Sequence, residues 1–410
     1  MLKKIVFLCL SLGVILCLAP VLRADFSTPA KNLSNSPGYS SLYPKVVRPP
    51  GSAVVVVVWM ETDGTHDALY FARSTNAGAT WTAPSAMTNM NGQIQDPIDG
   101  YDSRLQDYTF AVCLDDPYIH IVMQWRPNDT YDYEIWYLKS DDLGTTWDAA
   151  WTQLTFSDTD AHFPDVAARA SYVHVVYSDS WAGNDEIIYK RLTSNGAGGV
   201  DLTRRLTYSS TTSVVPKVAV SLSGQTVCVV YEDQILGQNW QILLKHIYTA
   251  GTGTYQTYQL TFGSAWNGLP DIVASTGTED EYFYIVYNTY WPGNREIMYK
   301  RIDNWAQAPF STYTARLTYS DPAESQSNSI DFDGSSNYVH ISYHDNWPGN
   351  YDVMYKKFSN YGGAGFTTQR VSWGTGDSSH STIAAHGNWA YIVWSDNTGG
   401  NYDIYFKDGY

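Results

Sequence analysis

One stretch recurs along the chain and limits what the chain can fold into. Its clearest copy is YNTYWPGNREIMYKRI at Tyr287–Ile302. Close copies are YSDSWAGNDEIIYKRL at Tyr177–Leu192 and YHDNWPGNYDVMYKKF at Tyr343–Phe358. A diverged copy, WSDNTGGNYDIYFKDG, occupies Trp394–Gly409. In each, an alternating apolar run ends, a break rich in Gly and Asn turns the chain, and alternation resumes, which is a β-hairpin signal. A repeated hairpin is a repeated structural unit, so the period of the chain comes before any reading of sites.

A second signal marks the unit boundaries. A short strand ends in Leu-Thr and an aromatic, a polar loop follows, and Pro-Asp or Pro-Lys often precedes the next strand. It reads QLTFSDTDAHFPDVA from Gln153, RLTYSSTTSVVPKVA from Arg205 and QLTFGSAWNGLPDIV from Gln259. It continues as RLTYSDPAESQSNSID from Arg316 and RVSWGTGDSSHSTIA from Arg370. KNLSNSPGYSSLYPKV from Lys31 follows the pattern, and AMTNMNGQIQDPIDGY from Ala86 is a degenerate copy. Seven units result, starting near Leu33, Met87, Leu154, Leu206, Leu260, Leu317 and Val371.

Each unit holds three further alternating runs, such as Asp165–Ala170, Tyr172–Ser178 and Glu186–Leu192. Four strands per unit, at a spacing of roughly 50 residues, predict an all-β, seven-bladed β-propeller of four antiparallel strands per blade. A β-sandwich or a β-solenoid is the rival; solenoid turns are shorter and lack the hairpin. The last unit ends after its third strand, and a lone run, Phe26–Leu33, precedes the first. That run is expected to complete the last blade beside Tyr402–Lys407, which removes an open edge.

Residues 1–24 read as a secretory signal, with Lys3 and Lys4 ahead of the apolar run Ile5–Ala19, Pro20 ending it and Ala24 before the cut. Residues 25–410 are then a single propeller. Secretion, extracellular or periplasmic, follows, with no membrane insertion after cleavage. The whole chain carries a formal charge of −16, and losing Lys3, Lys4 and Arg23 takes it to −19. Such a surface excludes nucleic acid as partner and leaves an extracellular carbohydrate or protein, bound by a monomer. Cys113 and Cys228 remain after cleavage and are expected to be buried free thiols.

Two turns between third and fourth strands carry a sharper signature: Ser74–Trp81, STNAGATW, and Ser140–Trp147, SDDLGTTW. The acid or amide bonds the turn backbone, Gly permits positive φ and Trp packs beneath. These turns resemble the Asp boxes of sialidase-type propellers, also called BNR-repeat proteins. The resemblance implies a propeller whose Asp boxes are structural and lie opposite the ligand face. The family's Arg-Ile-Pro has no counterpart in Leu42–Val46, LYPKV. The three arginines that hold the family's substrate carboxylate are matched by no motif; the loop arginines on the expected ligand face are Arg104, Arg126 and Arg295.

That face is formed by the loops leading into innermost strands and by the turns joining second to third strands. Trp181, Trp291 and Trp347 are expected around it with Asp179, Asp345 and Asp396, a set suited to sugar stacking and hydroxyl recognition. Glu134, Glu186, Glu296, Asp352 and Asp403 recur at the start of third strands and read as structural, since one active site does not need one acid per blade. Residues that break the repeat are better candidates, among them His162, Trp266, His344, His380, Glu324 and Asp377. Unit two is the longest, its excess lying in Asn91–Tyr108 ahead of its innermost strand, where Asp99 and Asp102 offer oxygen ligands for a Ca²⁺. No other cofactor and no transition-metal pattern is indicated. Three functions remain open: recognition of an extracellular glycan or protein, glycan cleavage by a sialidase-like hydrolase or a lyase in a central pocket, and a purely structural propeller.

Overall fold

A computed structural model describes residues 26–409, apart from 27, 64–66, 88–92, 95–107, 127–131, 182, 249, 277–281, 292, 304–311, 320–321, 348 and 360–366. The described residues form seven antiparallel sheets, each running from an innermost to an outermost strand. The innermost strands are Ser40–Val47, Phe110–Asp115, Ala161–Arg169, Ser213–Val220, Asn267–Ala274, Ser325–Asp333 and Ser378–His386, which number the blades one to seven. This is the seven-bladed propeller read from the repeat.

Each sheet has two apolar faces, so each must be covered on both sides. Seven apolar clusters do this, each spanning one pair of neighbouring blades. The cluster between blades seven and one holds Val46, Val57, Trp59, Val393 and Phe406. Closure is made by Lys31–Asn32, which pairs with Phe406 and Tyr405 of the last third strand. The strand is shorter than Phe26–Leu33, but its neighbours add to it. The Leu33 N–H donates to the Ile404 carbonyl at 2.7 Å, and Phe26 packs edge-on against Tyr355 at 5.2 Å, between blades six and seven.

The innermost strands are not regular. Five carry a bulge at a residue of positive φ: Tyr43, Phe163, Val215, Leu269 and His380, with φ from 52° to 55°. In four of these a proline follows, at 44, 164, 216 and 270. Proline disfavours the right-handed helical region for its predecessor, and the register slips at each site. The Pro-Asp and Pro-Lys pairs therefore lie inside the innermost strands rather than ahead of them. The slip turns Phe163, Val215 and Leu269 together with Tyr108 and Val214 into an apolar collar.

Blade two departs at the same register. Gln93–Ile94 pairs with Arg126 and Trp125, and Phe110 resumes opposite Met123. The long segment of unit two therefore interrupts the innermost strand where other blades bulge, instead of preceding it. Tyr108, at the far end of that segment, is part of the collar.

Both Ser-x-x-x-Gly turns close by one scheme. In the second, Gly144 N–H donates to Ser140 Oγ at 2.8 Å and Thr146 N–H to Asp142 Oδ1 at 2.7 Å. In the first, Asn76 Oδ1 accepts the Thr80 N–H at 2.8 Å in place of the acid. Trp147 is half-buried edge-on against Phe71 at 5.4 Å, so the turn of blade two is seated on blade one.

Two stability outcomes follow from this construction. Removing Phe26–Leu33 opens an edge and a blade interface together, so a single cooperative melting transition shifts down by several degrees; an unchanged transition in calorimetry contradicts the closure. Trp147→Ala costs about 2 kcal/mol by urea denaturation, less than the 3–5 kcal/mol of a fully buried ring.

Candidate functional site

The loop face is built on one repeated clamp. Glu186, Glu296 and Asp352, at the start of third strands, are buried, and each accepts a hydrogen bond from an arginine at the end of the fourth strand. Arg205 reaches Glu186 at 2.9 Å, Arg316 reaches Glu296 at 2.8 Å, and Arg370 reaches Asp352. The next residue donates its N–H to the Thr or Ser of the Leu-Thr motif, as Ile187 to Thr207 and Val353 to Ser372, both at 2.8 Å. The Asn of the turn adds a bond to the same acid in two blades, Asn184 at 3.1 Å and Asn294 at 2.9 Å. In blade seven Asp403 takes Asn32 and Ser34 from the N-terminal strand instead. Glu134 has no arginine in contact among the described residues, and burial pushes its carboxyl up to about 6. These acids serve the fold, as their recurrence implied.

The turn acids are engaged as well. Asp345 accepts the Trp347 N–H at 2.7 Å and the Ser325 hydroxyl at 2.7 Å; Asp179 accepts the Trp181 N–H at 2.8 Å, and Asp396 the Thr398 N–H at 2.9 Å. What the clamp leaves free is the rings. Trp181, Trp291 and Trp347 are 69%, 59% and 73% exposed. Five more rings, which the sequence pattern marked only as a boundary signal, belong with them: Phe156, Tyr208, Phe262, Tyr319 and Trp373. Of twelve exposed large apolar side chains among the described residues, all but Val200 and Trp389 lie on the loop face. Three rings are held in place by the clamp arginines, which stack on Tyr208, Tyr319 and Trp373 at 4.5, 4.5 and 4.4 Å.

Repeat-breaking polar groups meet in blades five to seven, beside the collar. Arg295 immediately precedes the clamp acid Glu296 and is buried. Its Nε donates to the Tyr290 phenol at 2.8 Å and its Nη1 to Gln326 Oε1, while its guanidinium lies 5.1 Å from the Tyr290 ring and 6.0 Å from Trp266. Gln326 Nε2 donates to the Tyr351 phenol at 2.7 Å. His344 packs on Tyr351 at 5.0 Å and faces His380 at 6.0 Å; His380 abuts Tyr43 at 4.9 Å. Burial, then the charge of His380 and of Arg295, holds His344 well below the usual imidazole range, so it is neutral near pH 7. Burial, helped by Glu324, raises the Tyr351 phenol. Such a set can hold an anionic group and accept a proton from a neighbouring carbon or oxygen acid.

The expected site residues separate accordingly. Arg104, Asp99 and Asp102, and with the last two the expected Ca²⁺ ligands, lie outside the described residues. Arg126 ends the second strand of blade two and lies over Tyr133 at 4.7 Å, so it does not join Arg295 in blade five. His162 is buried with Asp185 3.4 Å from its Nε2 and is no surface ligand. Trp266 is half-buried, edge-on to Tyr290 at 5.4 Å. Tyr351, Tyr290 and Gln326 were not singled out in the sequence. Tyr351 occupies in blade six the position of Arg295 in blade five, and that shared position was the available signal. Cys113 and Cys228 are both free; Cys228 is buried, but Cys113 is only half-buried, because it stands in the wall of the axial chamber.

That chamber, about 840 Å³, runs from the collar toward the turns opposite the loop face and is lined by all seven innermost strands. Its acids join blades. Asp165 accepts the Val218 N–H at 2.7 Å and lies 3.2 Å from Lys217; Asp271 accepts the Ile330 N–H at 3.1 Å; Asp331 accepts the Ala385 N–H at 2.7 Å. Desolvation raises Asp271 to about 6 and Asp331 to about 7.

No known protein-family model matches the chain, and no curated protein matches it in sequence. Solved structures match it in shape. The GH93 α-L-arabinofuranosidase of Fusarium graminearum, solved with arabinobiose, aligns at 12% identity and a TM-score of 0.50 over 92% of this chain and 97% of its own. The polysaccharide lyase Uly1 aligns at 9% identity and a TM-score of 0.52 over 89% of each chain. A sialidase of Trypanosoma rangeli aligns at 12% identity and a TM-score of 0.48, over 91% of this chain and 59% of that one. At 12% and 9% identity the likeness to the first two is one of fold alone.

The chamber acids set a pH dependence. A carboxyl whose folded value lies above its unfolded value of 3.8 holds its proton more tightly in the fold, so its contribution is present at low pH and is lost as pH rises. For Asp271 and Asp331 the loss runs from about 4 up through about 6 and about 7. In urea denaturation an Asp271→Asn/Asp331→Asn double variant should lose less stability than the wild type between about pH 5 and about pH 8. Parallel pH profiles for the two proteins contradict this assignment.

Proposed function

We propose that the protein is an exported glycan-recognition propeller that stacks sugar rings on its loop face. The observation that carries this is the gathering of exposed rings on one face, held in place by the clamp. Exposed apolar side chains gathered on one face mark an interaction site more often than ones scattered singly over a surface. Each sits among Ser, Thr, Asn and Asp, and a flat ring beside hydroxyl-binding groups suits a saccharide. The export rests on residues 1–24. The fold is one that glycan-active enzymes also use, which fits a carbohydrate ligand.

A second reading, a glycan-active enzyme, is favoured by the convergence of Arg295, His344, His380 and Tyr351 at one place beside the axis. Glu324 and Asp377 flank Tyr351 and both act on its phenol. Acid–base work on a sugar needs such a set of groups with perturbed proton affinities.

A glycan array with immobilised polysaccharides separates the two. Trp347→Ala/Trp373→Ala should weaken binding by about tenfold or more while leaving the melting temperature unchanged. Unaltered binding by this folded variant refutes the stacking face. New reducing or unsaturated ends released by wild type and lost in His344→Ala establish the enzyme reading instead.

A further inference from the structure

Among the described residues Arg295 is a charge without a counter-ion. The clamp arginines 205, 316 and 370 each have a carboxylate, and Arg191 has Asp201 at 2.5 Å. Arg295 is as buried as Arg191, yet its hydrogen bonds go only to the neutral oxygens of Tyr290 and Gln326, and it has no carboxylate partner among the described residues. The chain has 41 acids against 25 lysines and arginines, so a partner was not lacking in composition. A buried cation facing only neutral groups is costly unless something anionic completes it.

The neighbouring bonds are oriented to help. Gln326 spends its oxygen on Arg295, so its amide donates to Tyr351, and the phenol O–H of Tyr351 is left to donate elsewhere. His344, 4% exposed, has no hydrogen-bond partner for either ring nitrogen among the described residues, and its Nδ1 is buried and unsatisfied. The second guanidinium Nη, the phenol O–H and one imidazole N–H are thus three donors without an acceptor in one quadrant of the loop face.

We propose that Arg295, Tyr351 and His344 form a subsite for the anionic substituent of a sugar, the carboxylate of a uronic acid or a sulfate ester. This rests on the glycan reading for the sugar but stands on its own for the anion. A planar guanidinium pairs with either group through two parallel hydrogen bonds. The half-buried ring of Trp266, beside the guanidinium, offers the sugar a wall.

The test is isothermal titration of the full chain with glucuronate, glucose 6-sulfate and glucose at constant ionic strength. At least one anionic sugar should bind about tenfold or more tightly than glucose, and the better of the two identifies the source of the charge. Arg295→Gln should remove that advantage. Tyr351→Phe, which preserves packing, should weaken it severalfold and settles the matter if Arg295→Gln does not fold. Saturable binding of neither anion up to about 100 mM, equal affinity for glucose, or full anion preference retained in folded variants overturns the proposal. Trp347→Ala/Trp373→Ala is read by polysaccharide binding alone: if it retains that binding, the stacking face fails, while the anion subsite is judged by Arg295→Gln.

Discussion

The loop face depends on a buried carboxylate at the first position of the third strand. Glu296 and Asp352 are removed from water, where an unpaired charge would be costly. The fourth strand supplies an arginine to pair with it, the turn supplies an asparagine, and the Leu-Thr motif satisfies the next backbone N–H. One acid therefore fixes three separate pieces of chain. Because the arginine is planar and held at its far end, its face becomes a platform, and Tyr208, Tyr319 and Trp373 lie against it. The device that stabilises these three blades thus also positions three of the exposed rings. Glutamine replaces the arginine at Gln153 and Gln259 and still reaches the Thr carbonyl at 2.8 Å, so the rings of Phe156 and Phe262 keep their place without the cation.

The axis is shaped by a second constraint. A positive φ at a non-glycine residue costs about 1–2 kcal/mol, and five innermost strands accept it. The strain persists because neighbours over-determine it. Gln124 accepts the Phe163 N–H at 2.8 Å and Glu232 the Leu269 N–H at 2.7 Å, each from the second strand of the preceding blade. The bulge turns large side chains inward, and the collar they make with Tyr108 separates the loop face from the axial chamber. His380 is the polar member of this series, and it is the one that faces His344.

The fold was legible because the signals that encode it are periodic. The hairpin and the Leu-Thr boundary each appear several times, so errors in one copy are corrected by the others, and the single closing run is read from the strand that the last unit lacks. The N-terminal Asn32-Leu33-Ser34 reproduces the clamp, with Ser34 Oγ accepting the Ile404 N–H at 2.9 Å. The candidate site was legible only in part, because it is the sum of departures from the period. His344, His380 and Arg295 stood out as repeat-breakers, but nothing in one sequence said that they meet. Tyr351 and Gln326 looked ordinary among many tyrosines and amides. The bulges were misplaced as strand starts, since Pro-Asp signals a chain reversal or an interruption of a strand equally well.

The position just before the clamp carboxylate is where this architecture can vary at least risk. Its backbone carbonyl accepts an N–H from the next innermost strand, as Arg295 does from Ser325 at 3.1 Å and Tyr351 from Ser378 at 2.7 Å, which leaves its side chain free to vary. Across the blades it holds Tyr133, Asp185, Trp240, Arg295, Tyr351 and Tyr402. Asp185 finds His162 at 3.4 Å, a pairing internal to the blade. Among the described residues Arg295 finds only the neutral acceptors Tyr290 and Gln326. A chain of formal charge −16 repels an acidic ligand at long range, and that repulsion is screened within about 8–10 Å in physiological salt. A guanidinium in contact is screened far less. At the proposed subsite the balance between a distant acidic surface and a buried cation therefore favours an anion only where it can reach the guanidinium, a selectivity for the position of a charge rather than for acidity in general.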